Sequence, residues 1–430
     1  MKSWRVSPLN GPLRGTIRVP GDKSISHRAI MLNALAGNRE GSGITGLLES
    51  EDVIATRRVV RATLGASHAD ESGPILCDCG NSGTTMRLMM GALSSWRGPD
   101  GGSAPDVILD GDESLRRRPM ERVAKHLRTM GASIETTANK PPVKVSGRRL
   151  QGRDITIDVA SAQVKSALLL AGLAATGRTT VRMPAASRDH TERMLRHFGC
   201  PVTEENSGRI VAVEGGATLR SRPVDVPGDI SSAAFFLVAA MAAREADVTI
   251  ENVGVNPLRT GILDVMNSAG ARLECGSPRV ESGEPRADLQ VARAKWGALT
   301  IAGDDIPRLI DEIPVLSLAA ALADTDESIV RDAAELRVKE TDRIDAIVGE
   351  FASIGLTAKP TPDGLIIPGR QSVRGGRVQS RGDHRIAMTA AVAGLLSRDG
   401  VVVENVEFVE TSFPGFVRLM CSLGAEIAEF

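Results

Sequence analysis

Residues 21–28 read GDKSISHR, and variants of this stretch return five more times along the chain. Asp22 is a residue type that caps helices, and an apolar run then continues the helix. The free N–H groups and the positive end of that helix would lie beside Lys23, with Ser24 and Arg28 one turn apart on the same face. The stretch therefore predicts a helix start suited to a phosphate or a carboxylate, although an ordinary capped helix with surface cations would read the same way.

The related stretches are the markers of an internal repeat. Each opens a segment rich in small apolar residues, and most of these segments are apolar on every side, which is the pattern of a buried helix. The stretches begin at Gly21, Gly80, Ser161, Gly228, Asp311 and Gly382. Six units of about 70 residues, each with two helices and intervening strands, describe the chain.

A glycine ends the second helix of each unit, and this helix is amphipathic, as at residues 122–128 and 192–197. Glycine at such a place takes the left-handed conformation that lets the chain leave a helix and enter a strand. We expect that conformation at Gly65, Gly131, Gly199, Gly270, Gly355 and Gly424.

A chain of 430 residues is too long for one compact core and suggests two domains. Its 42% hydrophobic and 24% charged residues are typical of a globular protein. Six buried helices need sheets to cover them, and two bundles of three units are an economical solution. Pro and Gly at residues 19–21 and 226–228 indicate paired crossovers between the domains, whereas residues 98–105 and 276–285 read as surface loops.

Composition excludes several classes of protein. The net charge of −1 and the absence of Tyr argue against a nucleic-acid binder, which needs a basic surface and aromatic rings. The longest apolar run, residues 233–243, is shorter than the roughly 20 residues that a membrane helix needs, and residues 1–5 lack the apolar core of a secretion signal. Five scattered cysteines indicate neither a disulfide framework nor a zinc site. We therefore expect a soluble, cytoplasmic protein without nucleic-acid or membrane partners.

Polar residues with a possible chemical role cluster at the helix starts. Residues 80–87, GNSGTTMR, predict a glycine turn that suits an anion but lack the ending of a P-loop, so nucleotide binding is not supported. Residues 116–120, RRRPM, place three cations before a helix that we expect to begin at Pro119. Residues 161–165, SAQVK, put a hydroxyl, an amide and an ammonium group into the first turn of a helix. Each of these motifs alone is also explained by a solvated, charged surface.

Further motifs lie later in the chain, and RDHTE at residues 188–192 is of the same kind. Asp311 and Glu312 precede a buried helix, where an exposed pair of acids would be an ordinary cap, but beside an anionic substrate a carboxylate could act as a general base. In residues 337–343, RVKETDR, helical spacing would align the Lys and the Glu with the last Arg on one face. Residues 382–385, GDHR, repeat the anion-binding pattern. Seven such motifs at equivalent places in one repeat favour a shared site.

Together these motifs resemble those of the 5-enolpyruvylshikimate-3-phosphate (EPSP) synthase family. The resemblance runs from about Pro12 to Glu426 and rests on GDKSISHR, GNSGTTMR, RRPM, SAQVKSA, LRVKETDR and GDHRIAM. It implies an α/β (α+β) protein with the two-domain enolpyruvyl transferase fold, in which six βαβαββ repeats are arranged three per domain around buried helices. Residues 1–20 plus 228–430 would form one domain and residues 21–227 the other, with the active site in the cleft between them.

The same resemblance implies a 3-phosphoshikimate 1-carboxyvinyltransferase, which transfers the enolpyruvyl group of phosphoenolpyruvate to the 5-hydroxyl of shikimate 3-phosphate and releases phosphate. Such an enzyme of the shikimate pathway to chorismate and aromatic amino acids needs no metal or organic cofactor, and we expect a monomer. Shikimate 3-phosphate would contact Lys23, Ser24, Arg28, Ser161, Ala162, Gln163, Arg188, Asp311 and Lys339. Phosphoenolpyruvate would contact Lys23, Gly83, Thr84, Arg118, Gln163, Arg343 and Arg385. The catalytic candidates are Asp311, as the base for the attacking hydroxyl, and Glu340 and Lys23, for protons at the methylene carbon and the bridging oxygen.

Particular residues bear on the class within this family. Thr411 stands where some relatives have a lysine. Together with SAQ at residues 161–163 and the pattern Arg188-x-His190-x-Glu192, it resembles the second of two main classes. Glyphosate inhibits the family at the phosphoenolpyruvate site. The class suggests tolerance, whereas Gly83, which lacks the methyl group of the alanine that a tolerant member can carry, favours moderate sensitivity.

Two alternatives stay open at this point. UDP-N-acetylglucosamine enolpyruvyl transferase shares the fold and the donor, but it has a Lys-Asn pair near its start and usually a cysteine before its Arg-Pro motif. Here Lys23 is followed by serine, and no cysteine occurs between Cys79 and Cys200. A catalytically inactive ligand-binding relative is disfavoured because both Asp311 and Glu340 are present.

Overall fold

The structure is a computed structural model that describes residues 2–38, 40–64, 73–96 and 105–430. It divides into two compact units. Unit 1 comprises Met1–Gly21, Pro227–Val280 and Pro285–Phe430, and unit 2 comprises Asp22–Val226 and Glu281–Glu284. The predicted helix end at Gly65 and residues 98–104 of a predicted loop lie outside the described residues. Within the described ranges, no helix is both long enough and apolar enough to cross a membrane.

Both units contain helices that are buried on every side and helices that are amphipathic. In chain order the α-helices are α1 (Lys23–Leu35), α2 (Glu51–Ala62), α3 (Gly83–Ser94), α4 (Glu113–Arg116), α5 (Glu121–Thr129), α6 (Ala162–Gly172), α7 (His190–His197), α8 (Ile230–Ala242), α9 (Gly261–Ser268), α10 (Ile306–Leu309), α11 (Ile313–Leu322), α12 (Arg343–Ser353), α13 (His384–Leu395) and α14 (Phe416–Ser422). Short 3₁₀ helices span Gly303–Asp305, Ala334–Val338 and Val406–Val409.

Strands separate these helices throughout the chain. They are β1 (Ser3–Val6), β2 (Leu13–Ile17), β3 (Ile44–Thr45), β4 (Ile75–Asp78), β5 (Val107–Asp110), β6 (Ser133–Thr137), β7 (Lys140–Ser146), β8 (Asp154–Thr156), β9 (Arg178–Arg182), β10 (Val202–Glu205), β11 (Ile210–Glu214), β12 (Val224–Asp225), β13 (Ala246–Gly254), β14 (Glu274–Cys275), β15 (Arg279–Glu281), β16 (Glu284–Ala292), β17 (Thr300–Ile301), β18 (Glu327–Val330), β19 (Lys359–Thr361), β20 (Gly364–Pro368), β21 (Gly376–Gln379), β22 (Val401–Glu404) and β23 (Ile427–Glu429).

The sheets repeat one topology. In unit 1 the strand orders are β21-β22-β1-β23, β14-β16-β13-β2 with β15 beside β16, and β17-β18-β20-β19. In unit 2 they are β4-β5-β7-β6, β10-β11-β9-β8 and the pair β12-β3. Each larger sheet has one parallel pair whose second strand follows a buried helix, and its other main pairs are antiparallel. These mixed sheets around buried helices confirm the predicted fold class.

A buried helix opens each repeat at the predicted place. These helices are α1, α3 and α6 in unit 2, and α8, α11 and α13 in unit 1, and they lie in the hydrophobic core of their own unit. Side chains that accept a hydrogen bond from an N–H group of the first turn cap five of them: Asp22, Ser82, Ser161, Asp229 and Asp383. The polar residues of the repeat therefore mark helix starts, as the sequence predicted.

Glycine ends the second helix of each described repeat in the left-handed conformation. The φ angles are +97° at Gly131, +87° at Gly199, +95° at Gly270, +85° at Gly355 and +106° at Gly424, which confirms the prediction at these five positions. At the crossover residues of unit 1, Gly21 forms an antiparallel bridge with Gly228, and the Asp229 amide donates to the Pro20 carbonyl at 2.9 Å.

The helix predicted to begin at Pro119 begins two residues later, at Glu121, so this prediction is wrong. The Arg118 amide donates to the Leu115 carbonyl and completes the last turn of α4. The Met120 amide then donates to the Asn139 carbonyl at 2.8 Å. The chain is therefore tied to the β6–β7 hairpin before α5 can start.

We expect the close packing of α3 on α6 to depend on Gly91. A Cβ atom at this position would overlap the carbonyl oxygen of Ala167 and lie 2.7 Å from its Cα atom. Gly91→Ala should therefore lower the free energy of unfolding by about 1–3 kcal/mol, measured by urea denaturation, because backbone cannot move aside as a side chain can. Gly11→Ala is the control, since its Cβ would meet nothing within 4 Å. Equal stability of the two variants would contradict this account of the packing.

Candidate functional site

Unit 2 brings several predicted residues together at the first turns of α3 and α6. The Gln163 amide nitrogen donates to the Thr84 hydroxyl at 2.9 Å. The Arg87 guanidinium donates to the Gln163 amide oxygen at 2.7 Å and fixes the orientation of that amide. A Cβ atom on Gly83 would lie 3.2 Å from Arg87 Nη1 and 3.4 Å from Arg118 Nη1. Two guanidinium groups therefore flank Gly83 at the start of α3, which is a suitable arrangement for an anion.

Arg118 is held by the turn that precedes α3. Its Nη2 atom donates to the Asn81 side-chain oxygen at 2.7 Å, and its Nη1 atom donates to the Asn81 carbonyl at 3.2 Å. Ser114 also accepts from Nη2, at 3.2 Å. Neutral acceptors thus position this cation.

Lys23 pairs with an acid that sequence reasoning missed. Its ammonium nitrogen lies 3.1 Å from a carboxylate oxygen of Asp52, and the two side chains are 22% and 12% exposed. Asp52 lies in the first turn of α2, where an acid looks like ordinary compensation of the helix dipole. The sequence holds no signal that it faces Lys23 rather than solvent.

Arg28 lies deeper, with 4% of its surface exposed. Burial lowers the pKa of its guanidinium to about 10, and the charges of Glu192 and Asp22 partly oppose that shift. The positive charge of Arg188 also lowers the pKa of Arg28, which shows that these two predicted residues are close enough to interact. A group with a pKa near 10 is still a cation at neutral pH.

In unit 1, the predicted residues converge on Arg343, whose side chain is 1% exposed. Its Nε atom lies 2.8 Å from Asp383, its Nη2 atom 2.8 Å from Glu340, and its Nη1 atom 3.3 Å from Asp311. Burial by itself would lower the pKa of Arg343, but the three carboxylates outweigh burial and raise it above its usual value. Arg343 is therefore a permanent cation that holds two candidate catalytic acids in place.

One carboxylate oxygen of Asp311 lies near three positively charged side chains. Its Oδ1 atom lies 3.3 Å from Lys339 Nζ, 3.3 Å from Arg343 Nη1 and 4.0 Å from Arg385 Nε. The five predicted residues of unit 1 thus form one cluster, with Glu340 joined to it through Arg343. A carboxylate in such surroundings is stabilised in its charged form, the form that a general base needs.

One expectation about the local structure of this cluster is wrong. Lys339 and Glu340 do not share a helix face with Arg343, because Asp342 caps α12 by accepting from the amides of Ile344 and Asp345 and the helix begins only at Arg343. Lys339 and Glu340 instead lie between the 3₁₀ helix Ala334–Val338 and α12 and reach the cluster from an extended segment.

Glu312 is not part of an exposed acidic cap, because its side chain is 1% exposed. Its carboxylate accepts from the Ser231 hydroxyl, which in turn accepts from Arg259 Nη2 at 2.7 Å. The two adjacent acids therefore have different surroundings, with Asp311 among the candidate site residues and Glu312 in a buried polar cluster.

Known proteins similar to this chain match it over nearly its whole length. The family model described as EPSP synthase (3-phosphoshikimate 1-carboxyvinyltransferase) matches residues 9–420. The 3-phosphoshikimate 1-carboxyvinyltransferase of Synechococcus sp. (strain RCC307) is 48% identical over 427 residues, which cover 94% of this chain and 96% of the relative. That of Desulforudis audaxviator (strain MP104C) is 47% identical over 440 residues, covering 98% and 99%. A solved structure of EPSP synthase from Acinetobacter baumannii is 40% identical and has a TM-score of 0.85, with 100% of both chains covered.

Proposed function

Because this chain belongs to the EPSP synthase family, we propose that the two clusters described above carry out the family's reaction. The chain is an enolpyruvyl transferase of the shikimate pathway, which transfers the enolpyruvyl group of phosphoenolpyruvate to the 5-hydroxyl of shikimate 3-phosphate and releases phosphate. Family membership confirms the reaction predicted from the motifs. We further propose that the enzyme acts as a cytoplasmic monomer on these two small molecules.

The observation that carries the assignment of roles is the position of Asp311 among cations. In our proposal Lys339 and Asp311 contact shikimate 3-phosphate, and Asp311 removes the proton of the attacking hydroxyl. Arg343 and Arg385 bind phosphoenolpyruvate, because a planar guanidinium suits carboxylate and phosphate oxygens. Their contacts with Asp311 support placing acceptor and donor next to each other.

The residues of unit 2 are proposed to bind the remaining anionic groups. Shikimate 3-phosphate contacts are assigned to the first two turns of α1, to the cap and first turn of α6, and to the segment before α7: Lys23, Ser24, Arg28, Ser161, Ala162, Gln163 and Arg188. Phosphoenolpyruvate contacts are assigned to Lys23, Gly83, Thr84, Arg118 and Gln163. Helix amides supply fixed donors there, and the cations supply charge.

The chemistry needs two proton transfers in the addition step. The acceptor oxygen loses its proton to Asp311 and bonds to C2 of phosphoenolpyruvate, while C3 gains a proton and becomes a methyl group. Elimination then removes a methyl proton, breaks the bond between C2 and the phosphate oxygen, and restores the enolpyruvyl double bond. We assign the proton at C3 to Glu340 and the proton of the bridging oxygen to Lys23. The Arg343–Glu340 and Asp52–Lys23 pairs hold these two groups in place.

A phosphate-release assay tests the choice of acceptor. Purified enzyme with phosphoenolpyruvate should release phosphate when shikimate 3-phosphate is added and should not do so with UDP-N-acetylglucosamine. Each acceptor without phosphoenolpyruvate is the control for contaminating phosphatase. Phosphate release from phosphoenolpyruvate only when UDP-N-acetylglucosamine is the acceptor, or when no acceptor is present, would contradict the proposed function.

Removal of the Asp311 carboxylate should slow turnover without comparable loss of donor binding. We expect Asp311→Ala and the isosteric Asp311→Asn to lower kcat by a factor on the order of 10² to 10⁴, the usual contribution of a general base. Phosphoenolpyruvate affinity should change little, since Arg343 retains Asp383 and Glu340 as partners. Asp326→Ala, which removes a surface acid paired with Arg370, is the matched control. Near-normal turnover in a folded Asp311 variant would exclude the role of base.

A methyl group at Gly83 should discriminate between glyphosate and phosphoenolpyruvate. A Cβ atom at Gly83 would contact the guanidinium ends of Arg87 and Arg118. These side chains can shift slightly, but their shift changes the proposed phosphoenolpyruvate site. We expect moderate glyphosate sensitivity in the natural enzyme and an inhibition constant raised roughly 10- to 100-fold in Gly83→Ala, as for a loss of 1.4 to 2.7 kcal/mol. The KM for phosphoenolpyruvate should rise less. An insensitive natural enzyme, or equal effects on inhibitor and substrate, would show that Gly83 does not control selectivity.

A further inference from the structure

Every nitrogen of the Arg28 guanidinium is held by a neutral acceptor. Nε donates to the Thr191 hydroxyl at 2.7 Å, Nη1 to the Ser24 carbonyl at 2.8 Å, and Nη2 to the Ser166 hydroxyl at 2.7 Å. A guanidinium has five N–H donors, so these bonds leave two of them, one on each terminal nitrogen. Arg28 is thus fixed in one orientation with part of its donor capacity unused.

Thr191 and Ser166 form a buried pair behind this guanidinium. Their side chains are 1% and 0% exposed, and the two hydroxyl oxygens lie 2.7 Å apart. Both oxygens accept from Arg28, and one hydroxyl donates to the other. Because Ser166 lies in α6 and Thr191 in α7, the pair ties α1 to two other helices.

A comparison with Arg343 shows why neutral partners matter. Both arginines are buried, but the charge of Arg343 is compensated by direct contacts with three carboxylates. Among the residues that the structure describes, Arg28 forms no such ion pair, since its hydrogen bonds go to two hydroxyls and a carbonyl. Two hydroxyls and a carbonyl accept hydrogen bonds from three of its five N–H groups without supplying a negative charge, so its positive charge remains available to an anion.

We propose that Thr191 and Ser166 are positioning residues that aim the charge of Arg28 at an anionic group of shikimate 3-phosphate. The proposal rests on the proposed function, in which Arg28 contacts that substrate. It adds that substrate affinity depends on two hydroxyls that do not themselves touch the substrate. A purely structural role for the pair would affect stability but would not affect the acceptor selectively.

Kinetics of Thr191→Val test the proposal, because valine keeps the shape of threonine and lacks its hydroxyl. We expect the KM for shikimate 3-phosphate, and its dissociation constant by calorimetry, to rise about 10-fold, the loss of one hydrogen bond to a charged group. The KM for phosphoenolpyruvate should stay within about twofold of its original value, because the lost hydrogen bond weakens binding of shikimate 3-phosphate only. Thr191→Ser keeps the hydroxyl and should restore most of the affinity.

Thr179→Val is the matched control. Thr179 is also fully buried in unit 2, but its hydroxyl oxygen has no hydrogen-bond partner within the described residues. The same change there should leave both KM values unaltered. Ser166→Ala provides an independent variant if Thr191→Val does not fold, and we expect the same selective rise for it.

The outcomes separate this proposal from its premise. An unchanged acceptor KM in a folded Thr191→Val or Ser166→Ala enzyme, an equal effect in Thr179→Val, or no rescue by Thr191→Ser would overturn the positioning role. Arg28→Ala tests the premise, and normal shikimate 3-phosphate affinity in this variant would remove Arg28 from the binding site. If Arg28→Ala loses affinity and Thr191→Val does not, Arg28 binds the substrate without help from the hydroxyl pair.

Discussion

A helix that is apolar on every side must be buried by neighbouring helices and strands along its length. Its polar first turn then lies at the edge of the buried core. Six such helices occur in the described residues, three in each unit. Contacts between first turns bring the starts of two of these helices together in each unit. In unit 2, Thr84 of α3 meets Gln163 of α6, and in unit 1, Asp311 before α11 lies near Arg385 of α13. Burial of the helices therefore assembles the polar residues of the repeat.

The arginines of the candidate site are held in two different ways. In unit 1, three carboxylates surround Arg343; their attraction keeps this arginine charged, and its contacts hold Asp311 and Glu340 in place. In unit 2, hydroxyl, amide and carbonyl oxygens hold Arg28 and Arg118. The first arrangement suits proton transfer, because it fixes acids at defined places. In the second, no carboxylate of the described residues contacts Arg28 or Arg118 directly, which favours their binding to an anionic substrate group.

The features that could be predicted from the sequence are those that depend on local interactions along the chain. Caps, buried helices and left-handed glycines depend on residues a few positions apart, so the recurrence of residues such as Asp22, Ser161 and Gly131 revealed the repeat. Arg87 also lay within reach of such reasoning, because it is four residues after Gly83 on the same helix face.

Partners from distant parts of the chain could not be predicted in this way. Asp52 faces Lys23, and Thr191 and Ser166 hold Arg28, only because separate helices pack together. Glu312 looked like a surface cap because its burial depends on Ser231, which lies 81 residues earlier. The missed residues are thus mainly the ones that orient the predicted site residues. Resemblance to a family identifies groups that would touch substrate, whereas the structure is needed to find what aims them.

His27 shows how two cations can share the first turns of α1. Its imidazole is fully buried and bonded to the Thr56 hydroxyl at 2.6 Å. Burial, and then the charges of Lys23 and Arg28, hold the pKa of His27 well below 6.5. Since the folded pKa is the lower one, neutral His27 contributes stability above pH 6.5 that is lost as the pH falls toward the folded value. The stretch that begins the first repeat can therefore present Lys23 and Arg28 together because its third basic side chain stays uncharged.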